Sequence, residues 1–291
     1  MTYNKDRDLK NLHAINIWKT DAPSYAISFI DMKSSTTSVN TLRIYINNIN
    51  VFWRWLNQHK INNSLDSMRS LTIELCQEFI DEMSSKSAVS TVLSMISTLS
   101  SLFNYLIEDG HVFDNPFNHI ERPKLQKAEP FRLTNDEKCA LMHVINTGEN
   151  MSKRFIAQEL SHGTRYRNQA IVKILIETGI KVSELVSLDI DDVNIFNRTL
   201  SIKNDNGVKF ATVSQDTMST IKDCMDMRCL FSIPSDERAL FIASQGKNKN
   251  KRISTQTVDG LVKKYAIAAN IKNVDKLSPN KFRQMNFLEA E

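Results

Sequence analysis

The sequence predicts a two-domain protein that is mainly α-helical, with one small antiparallel β-sheet in its second half. Three observations lead to this fold class. Apolar residues recur at three- and four-residue spacing through most of the first 110 positions, as on the buried face of a helix. Prolines then interrupt that pattern between residues 116 and 130. Further on, Asn206-Gly207 separates two β-branched runs, which is a strong hairpin signal.

Length and composition agree with a globular protein of this kind. The chain has 291 residues, 41% of them hydrophobic and 24% charged, enough for two domains that each bury a core. The net charge of +4 permits nucleic-acid binding, but a local basic patch would have to provide it.

Cysteine usage and the apolar pattern exclude several other classes. The four cysteines have neither zinc-site spacing nor the density of a disulfide scaffold, so we expect reduced thiols, no metal and no cofactor. The first thirty residues are polar, and no apolar run approaches eighteen residues. This pattern predicts a cytoplasmic protein without a signal peptide, a membrane anchor or a membrane partner.

The first half is predicted to be a helical bundle. After a polar leader and a short apolar segment, the Ser/Thr cluster at 34–38 is expected to form a loop and a cap. Apolar spacing then predicts helices over 39–56, 73–83 and 89–106, with Gly110 ending the last one. We place the first domain at residues 1–120.

An extended linker is predicted next, over residues 121–131, because each proline disfavours a helical residue before it. The second domain is expected over 132–291. It opens with a capping box, in which Thr134 is the N-cap and Glu137 reaches back to it. The polar stretch at 148–169 has no role that the sequence assigns.

A helix–turn–helix corner organises the second domain. Gly179 is expected to end one helix in a left-handed conformation, and Ser183 is expected to be the N-cap of the next. Lys181 then lies at the apex of the corner. A cation held on rigid backbone beside a helix N-terminus suits a phosphate contact. From this stretch alone, a solvated surface lysine is the alternative.

The stretch Thr178-Gly-Ile-Lys-Val-Ser-Glu-Leu185 resembles the first catalytic motif of the tyrosine recombinases, the phage-integrase family. That family has an arginine where this chain has Lys181. Leu277-Ser-Pro-Asn-Lys-Phe-Arg283 resembles a later motif of the family, with Asn280 in place of the histidine and Arg283 retained. The resemblance implies that Lys181, Asn280 and Arg283 occupy catalytic positions.

The resemblance also covers the first half, through the order of its helices and the Asn115-Pro116 element after Gly110. It implies a SAM-like helical core-binding domain followed by the α+β catalytic fold of tyrosine recombinases. In the family these two domains enclose duplex DNA. Double-stranded DNA is therefore the implied partner, together with self-association or a recombinase partner on the DNA. The implied phosphate contacts are Lys124, Lys181, Lys203, Lys209, Lys249, Arg252 and Arg283.

One further position departs from the family. Aligned on the hairpin turn, the family's catalytic lysine falls on Asp205, and an acid there repels phosphate. Lys203 and Lys209 flank the turn as candidate substitutes, with ordinary exposed strand residues as the alternative.

The expected function follows from which catalytic parts the resemblance finds. An amide at Asn280 carries no proton at neutral pH, and the family's nucleophilic tyrosine does not follow Arg283 in this sequence. We therefore expect a DNA-binding protein associated with DNA integration and site-specific recombination that does not cleave DNA alone. Two alternatives remain open. One is an active recombinase, if the chain is incomplete or a partner donates the tyrosine, and the other is a helical protein–protein scaffold.

Overall fold

The fold is known from a computed structural model, which describes residues 3–124, 133–161, 163–204, 207–230, 232–246 and 248–286. These residues form helices and a three-stranded antiparallel sheet, which confirms the predicted fold class. The chain divides into two compact units, one of residues 5–128 and the other of residues 129–291 together with residues 1–4, so that the main division falls between residues 128 and 129. This division falls inside the predicted linker, of which residues 125–131 lie outside the described residues.

The first unit is a bundle of helices around an aromatic core. Phe52 is fully buried and packs edge-on against Phe79 and Phe117, with ring centroids 5.0 and 5.5 Å away. Ser38 and Thr72 cap two of the helices by accepting backbone N–H groups. The helices are α1 Tyr3–Asp21, α2 Ser24–Ser34, α3 Val39–Gln58, α4 Leu65–Arg69, α5 Ile73–Lys86 and α6 Val89–Glu108.

Helix α1 differs from the sequence prediction, which treated this stretch as a polar leader. The stretch is helical because its few large apolar side chains contact other helices. Trp18 stacks on Trp53 with ring centroids 6.0 Å apart and donates its indole N–H to Asn50 Oδ1 at 2.9 Å, while Ile15 is buried. These tertiary contacts stabilise a helix that shows no clear apolar periodicity.

Helix α6 is the one helix in the described part of the chain with the length and hydropathy of a membrane span. Leu99, Leu102 and Phe103 on this helix are fully buried in the core of the first unit. Their burial is that of a core helix packed inside a protein.

The second unit packs helices around the small sheet. The capping box at Thr134 and Glu137 is confirmed. Thr134 N donates to Glu137 Oε2 at 2.9 Å, and Glu137 N donates to Thr134 Oγ1 at 3.2 Å. The helices are α7 Asn135–Thr147, α8 Lys153–Ser161, α9 Arg165–Thr178, α10 Val182–Ser187, α11 Gln215–Asp226, α12 Thr255–Ala268 and α13 Pro279–Asn286. Helix α8 and the start of α9 occupy the polar stretch to which the sequence assigned no role.

The sheet has the order β1 Val193–Asn194, β2 Thr199–Asn204 and β3 Gly207–Thr212. The hairpin between β2 and β3 is confirmed, although Asp205 and Asn206 lie outside the described residues. The run before the hairpin turn is divided into β1 and β2, because the chain turns between them with Arg198 in a left-handed conformation at φ 53°. Leu200 and Ile202 on β2 anchor the sheet in the core.

Candidate functional site

The corner between α9 and α10 has the geometry expected of it. Gly179 ends α9 with φ 58° and donates its N–H to Leu175 O at 3.1 Å, which confirms its role as a left-handed cap. Lys181 follows in an extended conformation directly before α10, and its side chain is exposed. Among the described residues, none forms a hydrogen bond or ion pair with its ammonium. The corner therefore presents to solvent a cation without a direct partner in the described part of the chain.

The cap of α10 differs from the prediction. The structure places Lys181 at the N-cap position, so that Ser183 lies inside the helix. The capping hydrogen bond comes from a side chain inside the helix, because Glu184 Oε2 accepts the backbone N–H of Lys181 at 2.8 Å. A glutamate three residues after the N-cap is the signal for this arrangement. The sequence contained that signal, but the assignment of Ser183 obscured it.

Glu184 also joins the corner to the hairpin. Its buried carboxylate lies 3.2 Å from the ammonium of Lys209 on β3. Burial tends to raise the pKa of Glu184, but the N–H of Lys181 and the ammonium groups of Lys209 and Lys181 lower it below its usual value. One carboxylate thus holds the apex of the corner and a hairpin lysine together.

A second carboxylate, at the C-terminal end of α9 beside the corner, attaches that helix to the chain beyond β3. Glu177 accepts hydrogen bonds from Ser214 N, Ser214 Oγ and Thr217 Oγ1 at 2.9, 2.8 and 2.6 Å. Thr217 is fully buried. The corner is therefore attached at two points, to Lys209 within β3 through Glu184 and to the chain just beyond Thr212 through Glu177. Neither glutamate was predicted from the sequence to belong to the site.

The structure brings the two motifs at 178–185 and 277–283 together. Val182 N at the start of α10 donates to Asn280 Oδ1 on α13 over 3.4 Å, across 98 positions of sequence. Arg283 belongs to the same helix α13, but its side chain lies outside the described part of the structure. The implied catalytic position of Arg283 beside Lys181 therefore stays a prediction.

The remaining expected phosphate contacts fall into two groups. Lys124 and Lys249 are exposed, and no hydrogen bond or ion pair to another described residue involves their ammonium groups. Lys203 is exposed but paired, with its ammonium 2.6 Å from Asp192 Oδ1. That hydrogen bond, together with the neighbouring carboxylates, raises the pKa of Lys203. Lys249 thus remains available to an anion, as does Lys124.

Arg252 requires a correction, because it is an internal residue. Only 9% of its side chain is exposed. The guanidinium forms an ion pair with Asp189 and donates to the carbonyl oxygens of Val186 and Leu188 at 2.9 and 3.1 Å. Its donors are directed into the turn that follows α10. We therefore remove Arg252 from the candidate phosphate contacts and assign it to the fold.

The polar stretch at 148–169 contributes a buried network. Glu159 Oε1 accepts from Asn168 Nδ2 at 2.7 Å and from the hydroxyl of Tyr265 at 2.8 Å. Arg167 donates to Asn168 Oδ1 and, at 2.6 Å, to Ile242 O, and burial lowers its pKa to about 10. Tyr265 is a packing residue of the core, since it is 1% exposed.

The environment of Tyr265 is unfavourable for a phenolate. Burial, together with the Glu159 carboxylate, raises the pKa of its hydroxyl well above the usual range. Because that hydroxyl also donates to Glu159, the side chain is held in the core. Tyr265 lacks the exposure that an attacking nucleophile needs.

The chain belongs to the phage integrase family. The family's sequence profile matches residues 132–287, more than half of the chain, and the profile of the phage integrase N-terminal SAM-like domain matches residues 29–110. The expected resemblance is therefore confirmed in both halves. It follows that the corner, the hairpin and α13 are parts of a tyrosine-recombinase catalytic fold.

Curated relatives carry the names of tyrosine recombinases. The chain is 27% identical over 253 residues to tyrosine recombinase XerC of Thermodesulfovibrio yellowstonii, covering 84% of this chain and 75% of that one. It is 23% identical over 261 residues to XerD of Staphylococcus epidermidis, covering 88% and 80%. A match to XerC of Alcanivorax borkumensis is 27% identical over 194 residues, covering 66% of this chain and 57% of the relative.

Solved structures support the fold. A XerH recombinase bound to a palindromic difH substrate aligns with a TM-score of 0.68 and 17% identity, covering 94% of this chain and 76% of that one. A lambda integrase tetramer bound to a Holliday junction aligns with a TM-score of 0.62 and 14% identity, covering 90% and 68%. At these identities the likeness concerns the fold.

Proposed function

We propose that this protein is a cytoplasmic DNA-binding member of the family, associated with DNA integration and site-specific recombination, and that the 291-residue chain does not cleave DNA alone. One observation carries the proposal. Lys181 is exposed without a partner among the described residues, at a corner that contacts Asn280 from a distant motif. A fixed cation beside a helix start and an amide side chain make a suitable cradle for one phosphate group.

The same residues argue against strand cleavage. A lysine offers a point charge where the family's arginine offers a bidentate fork, and loss of one such stabilising donor typically costs about 10²- to 10³-fold in rate. Asn280 can donate a hydrogen bond but cannot exchange a proton near neutral pH. Tyr265 is held in the core by Glu159. Binding therefore survives these substitutions better than catalysis does.

Similar proteins support DNA as the partner. The XerH and lambda integrase structures are described as bound to difH substrate and to a Holliday junction, the latter as a tetramer. Association with a second copy or with another recombinase on DNA is part of the proposal for the same reason.

The binding half of the proposal is tested by titrating a fluorescent duplex DNA with the protein at several salt concentrations. Each neutralised phosphate contributes about −0.9 to the slope of log K against log salt. With Lys181 and Lys249 both engaged, we expect a slope of about −1.8 or steeper. A slope near zero, or no binding at low salt, would instead favour a helical protein–protein scaffold.

The cleavage half is tested with a nicked suicide substrate, in which a covalent protein–DNA adduct accumulates. We expect no adduct from the 291-residue chain, even at concentrations that saturate the DNA. A matched arm adds an active recombinase of the same family whose own Lys181-equivalent site is disabled. An adduct on that partner alone would support the alternative in which the tyrosine is donated in trans. An adduct mapped to a tyrosine of the unaltered chain would refute the proposal.

A further inference from the structure

A cavity of about 480 Å³ opens in the second unit beside the N-terminal end of α9. Its walls come from α8, from the first turn of α9, from residues 243–246 and from α12. This volume lies in the range of about 300–1,000 Å³ that is typical of small-molecule sites. The corner is at the other end of α9, about 20 Å away for a helix of this length. The α9 cavity is therefore a separate feature of the second unit.

Arg167 brings a guanidinium with spare donors to the wall of the α9 cavity, where the residue is partly exposed. Its Nε and Nη2 donate to Asn168 Oδ1 at 3.0 and 2.7 Å, and its Nη1 donates to Ile242 O at 2.6 Å. Because a guanidinium has five N–H groups, one N–H on each terminal nitrogen has no hydrogen-bond partner in the described part of the chain. Arginine uses such N–H groups on neighbouring nitrogens to bind two oxygens of one phosphate.

The guanidinium is held in place before any ligand binds. Asn168 Nδ2 donates to Glu159 Oε1 at 2.7 Å, and the same oxygen accepts the hydroxyl of Tyr265 at 2.8 Å. The residues of this chain of hydrogen bonds behind Arg167 are buried. A side chain that is already fixed loses little conformational entropy when an anion binds. Glu159 also offsets part of the effect of burial on the pKa of Arg167, so the guanidinium stays charged.

Two further features of the cavity favour an anion. Helix α9 has 14 residues, and its N-cap Thr164, which lines the cavity, makes no capping hydrogen bond with its side chain. The partial positive charge of the helix start therefore has no side-chain cap. The ammonium of Lys264 lies 5.0 Å from the centroid of the Phe155 ring and pairs with no carboxylate of a described residue. Arg167 and Lys264 outnumber Glu159 among the charged residues described in the lining.

The rest of the lining suits a nucleoside attached to the phosphate. The ring of Phe155 is partly exposed and offers an aromatic wall for a base. Three glutamine side chains also line the cavity, namely Gln158, Gln245 and Gln256. An amide side chain both donates and accepts hydrogen bonds, which matches the mixed donors and acceptors on the edge of a base.

We propose that the α9 cavity binds a free nucleoside monophosphate, with the phosphate at Arg167 and Lys264 and the base along Phe155 and the glutamine amides. This inference goes beyond the proposed function, because it assigns a soluble small-molecule ligand to a site at the far end of α9 from the corner. It also gives a role to the polar stretch at 148–169, which supplies both the aromatic wall and the arginine.

The main test fills the cavity without changing its polar groups. A Cβ added at Gly260 on α12, which lines the cavity, would meet no atom within 4 Å. Because alanine and leucine favour a helix over glycine, Gly260→Ala and Gly260→Leu should both fold. Adenosine 5′-monophosphate is titrated into each protein by isothermal titration calorimetry, after circular dichroism has shown that it is folded. We expect Gly260→Leu to weaken binding by about tenfold or more, and Gly260→Ala to stay within about twofold of the unaltered chain.

Two neighbouring lysines of α12 test the position of the phosphate. Lys264 lines the cavity, whereas Lys263 pairs with Asp259 at 3.0 Å. We expect Lys264→Gln to weaken nucleotide binding several-fold and Lys263→Gln to leave it unchanged. Arg167 is a less suitable target, because its guanidinium also supports the fold at Ile242 O. Equal binding by the two lysine variants would overturn the assigned position of the phosphate.

Other ligands test the chemical class. We expect adenosine, which lacks the phosphate, to bind about tenfold more weakly or less. Inorganic phosphate that binds as tightly as the nucleotide would overturn the nucleoside part of the proposal. Displacement of the nucleotide by a duplex DNA, with or without terminal phosphates, would assign the cavity to the DNA-binding surface and refute the proposal.

Failure of this inference differs from failure of the proposed function. A chain that binds duplex DNA but shows no heat of binding with adenosine 5′-monophosphate refutes the nucleotide site and leaves the function intact. A chain that binds the nucleotide, loses it in Gly260→Leu and does not bind DNA supports the site while the proposed function fails.

Discussion

The cations of the second unit are used in two opposite ways. At the corner, Lys181 is exposed without an ion pair among the described residues, and Lys209 is half exposed over Glu184. In the interior, Arg252 and Lys173 have side chains that are 9% and 4% exposed, and each is paired with a carboxylate. Lysine and arginine side chains are thus exposed to solvent at the corner, whereas in the interior they are buried and form ion pairs that hold the fold together.

A basic residue in a family-like sequence therefore does not by itself mark a DNA contact. Arg252 follows a run of lysines and looks like part of a basic loop, yet its donors are directed to Asp189 and two backbone carbonyls. The burial of a basic side chain and the groups it pairs with decide whether it can contact DNA. The comparison predicts that internal cations govern stability, while corner cations govern salt-dependent binding.

The largest stability effect is expected for Arg252→Met. The substitution keeps much of the apolar stem but removes the guanidinium that pairs with Asp189 and donates to the carbonyl of Val186. The carbonyl of Leu188 keeps the backbone N–H of Leu240 as a donor, at 2.8 Å. Breaking a buried pair from one side typically costs about 3–5 kcal/mol, and we expect about 3 kcal/mol because Asp189 is 20% exposed. Urea denaturation measures the loss.

The exposed neighbour Lys251 provides the control for this prediction. Its side chain is exposed, so Lys251→Met should change the free energy of unfolding by less than about 0.5 kcal/mol. Equal effects at the two positions would mean that Arg252 is not an internal residue, and would return it to the candidate DNA contacts.

A smaller and pH-dependent effect is expected for Glu184→Gln. Because the pKa of Glu184 is lowered in the folded state, its charge stabilises the fold above about pH 4.3, the ordinary glutamate pKa. That stabilisation is lost as the pH falls through the lowered pKa. We expect Glu184→Gln to cost about 1 kcal/mol at pH 7, since Lys209 is half exposed and the cap can persist.

The measurement is the difference in unfolding free energy between the two proteins at pH 7 and near pH 3. The difference should shrink toward zero in acid. Asp236→Asn is the matched control, because Asp236 is an exposed carboxylate with no hydrogen bond or ion pair from its side chain to another described residue. A difference that grows on acidification would contradict the assigned role of Glu184.

Local sequence signals predicted the corner well and its partners less well. Gly179 and the Thr134 box depend on residues a few positions apart, so their geometry is readable from spacing. Glu184 was readable in the same way, but the neighbouring Ser183 offered a competing cap. The pairing of Lys209 with Glu184 spans 25 positions, and only the register of the hairpin decides which lysine faces the corner.

Two other features also could not be predicted from neighbouring residues, because they depend on contacts with distant parts of the chain. Helix α1 owes its stability to the stacking of Trp18 on Trp53, and the burial of Arg252 depends on a turn more than sixty positions earlier. The sequence shows the residue types in both cases. It does not show which distant groups fold against them, and those groups decide between exposed and internal roles.

The smallest effect is expected for Lys173→Met, the internal counterpart of Arg252→Met. Lys173 is 4% exposed, and its ammonium lies 2.6 Å from Asp216 Oδ2 and 3.1 Å from Thr220 Oγ1. Unlike Asp189, Asp216 is 69% exposed and can be hydrated when its partner is removed. Thr220 Oγ1 also keeps its own hydrogen bond to Asp216 O at 3.0 Å.

Lys173→Met therefore leaves no buried group unpaired, and it removes the cost of burying an ammonium group. Replacing a buried charge by an apolar side chain of similar volume is often neutral or stabilising, so we expect a change of less than about 1 kcal/mol of either sign in urea denaturation. The two variants differ in how exposed the carboxylate is that loses its partner. The comparison therefore tests whether that exposure sets the loss of stability. A loss at Lys173 as large as the loss at Arg252 would show that the charge of an internal cation, rather than the burial of its partner, sets the cost.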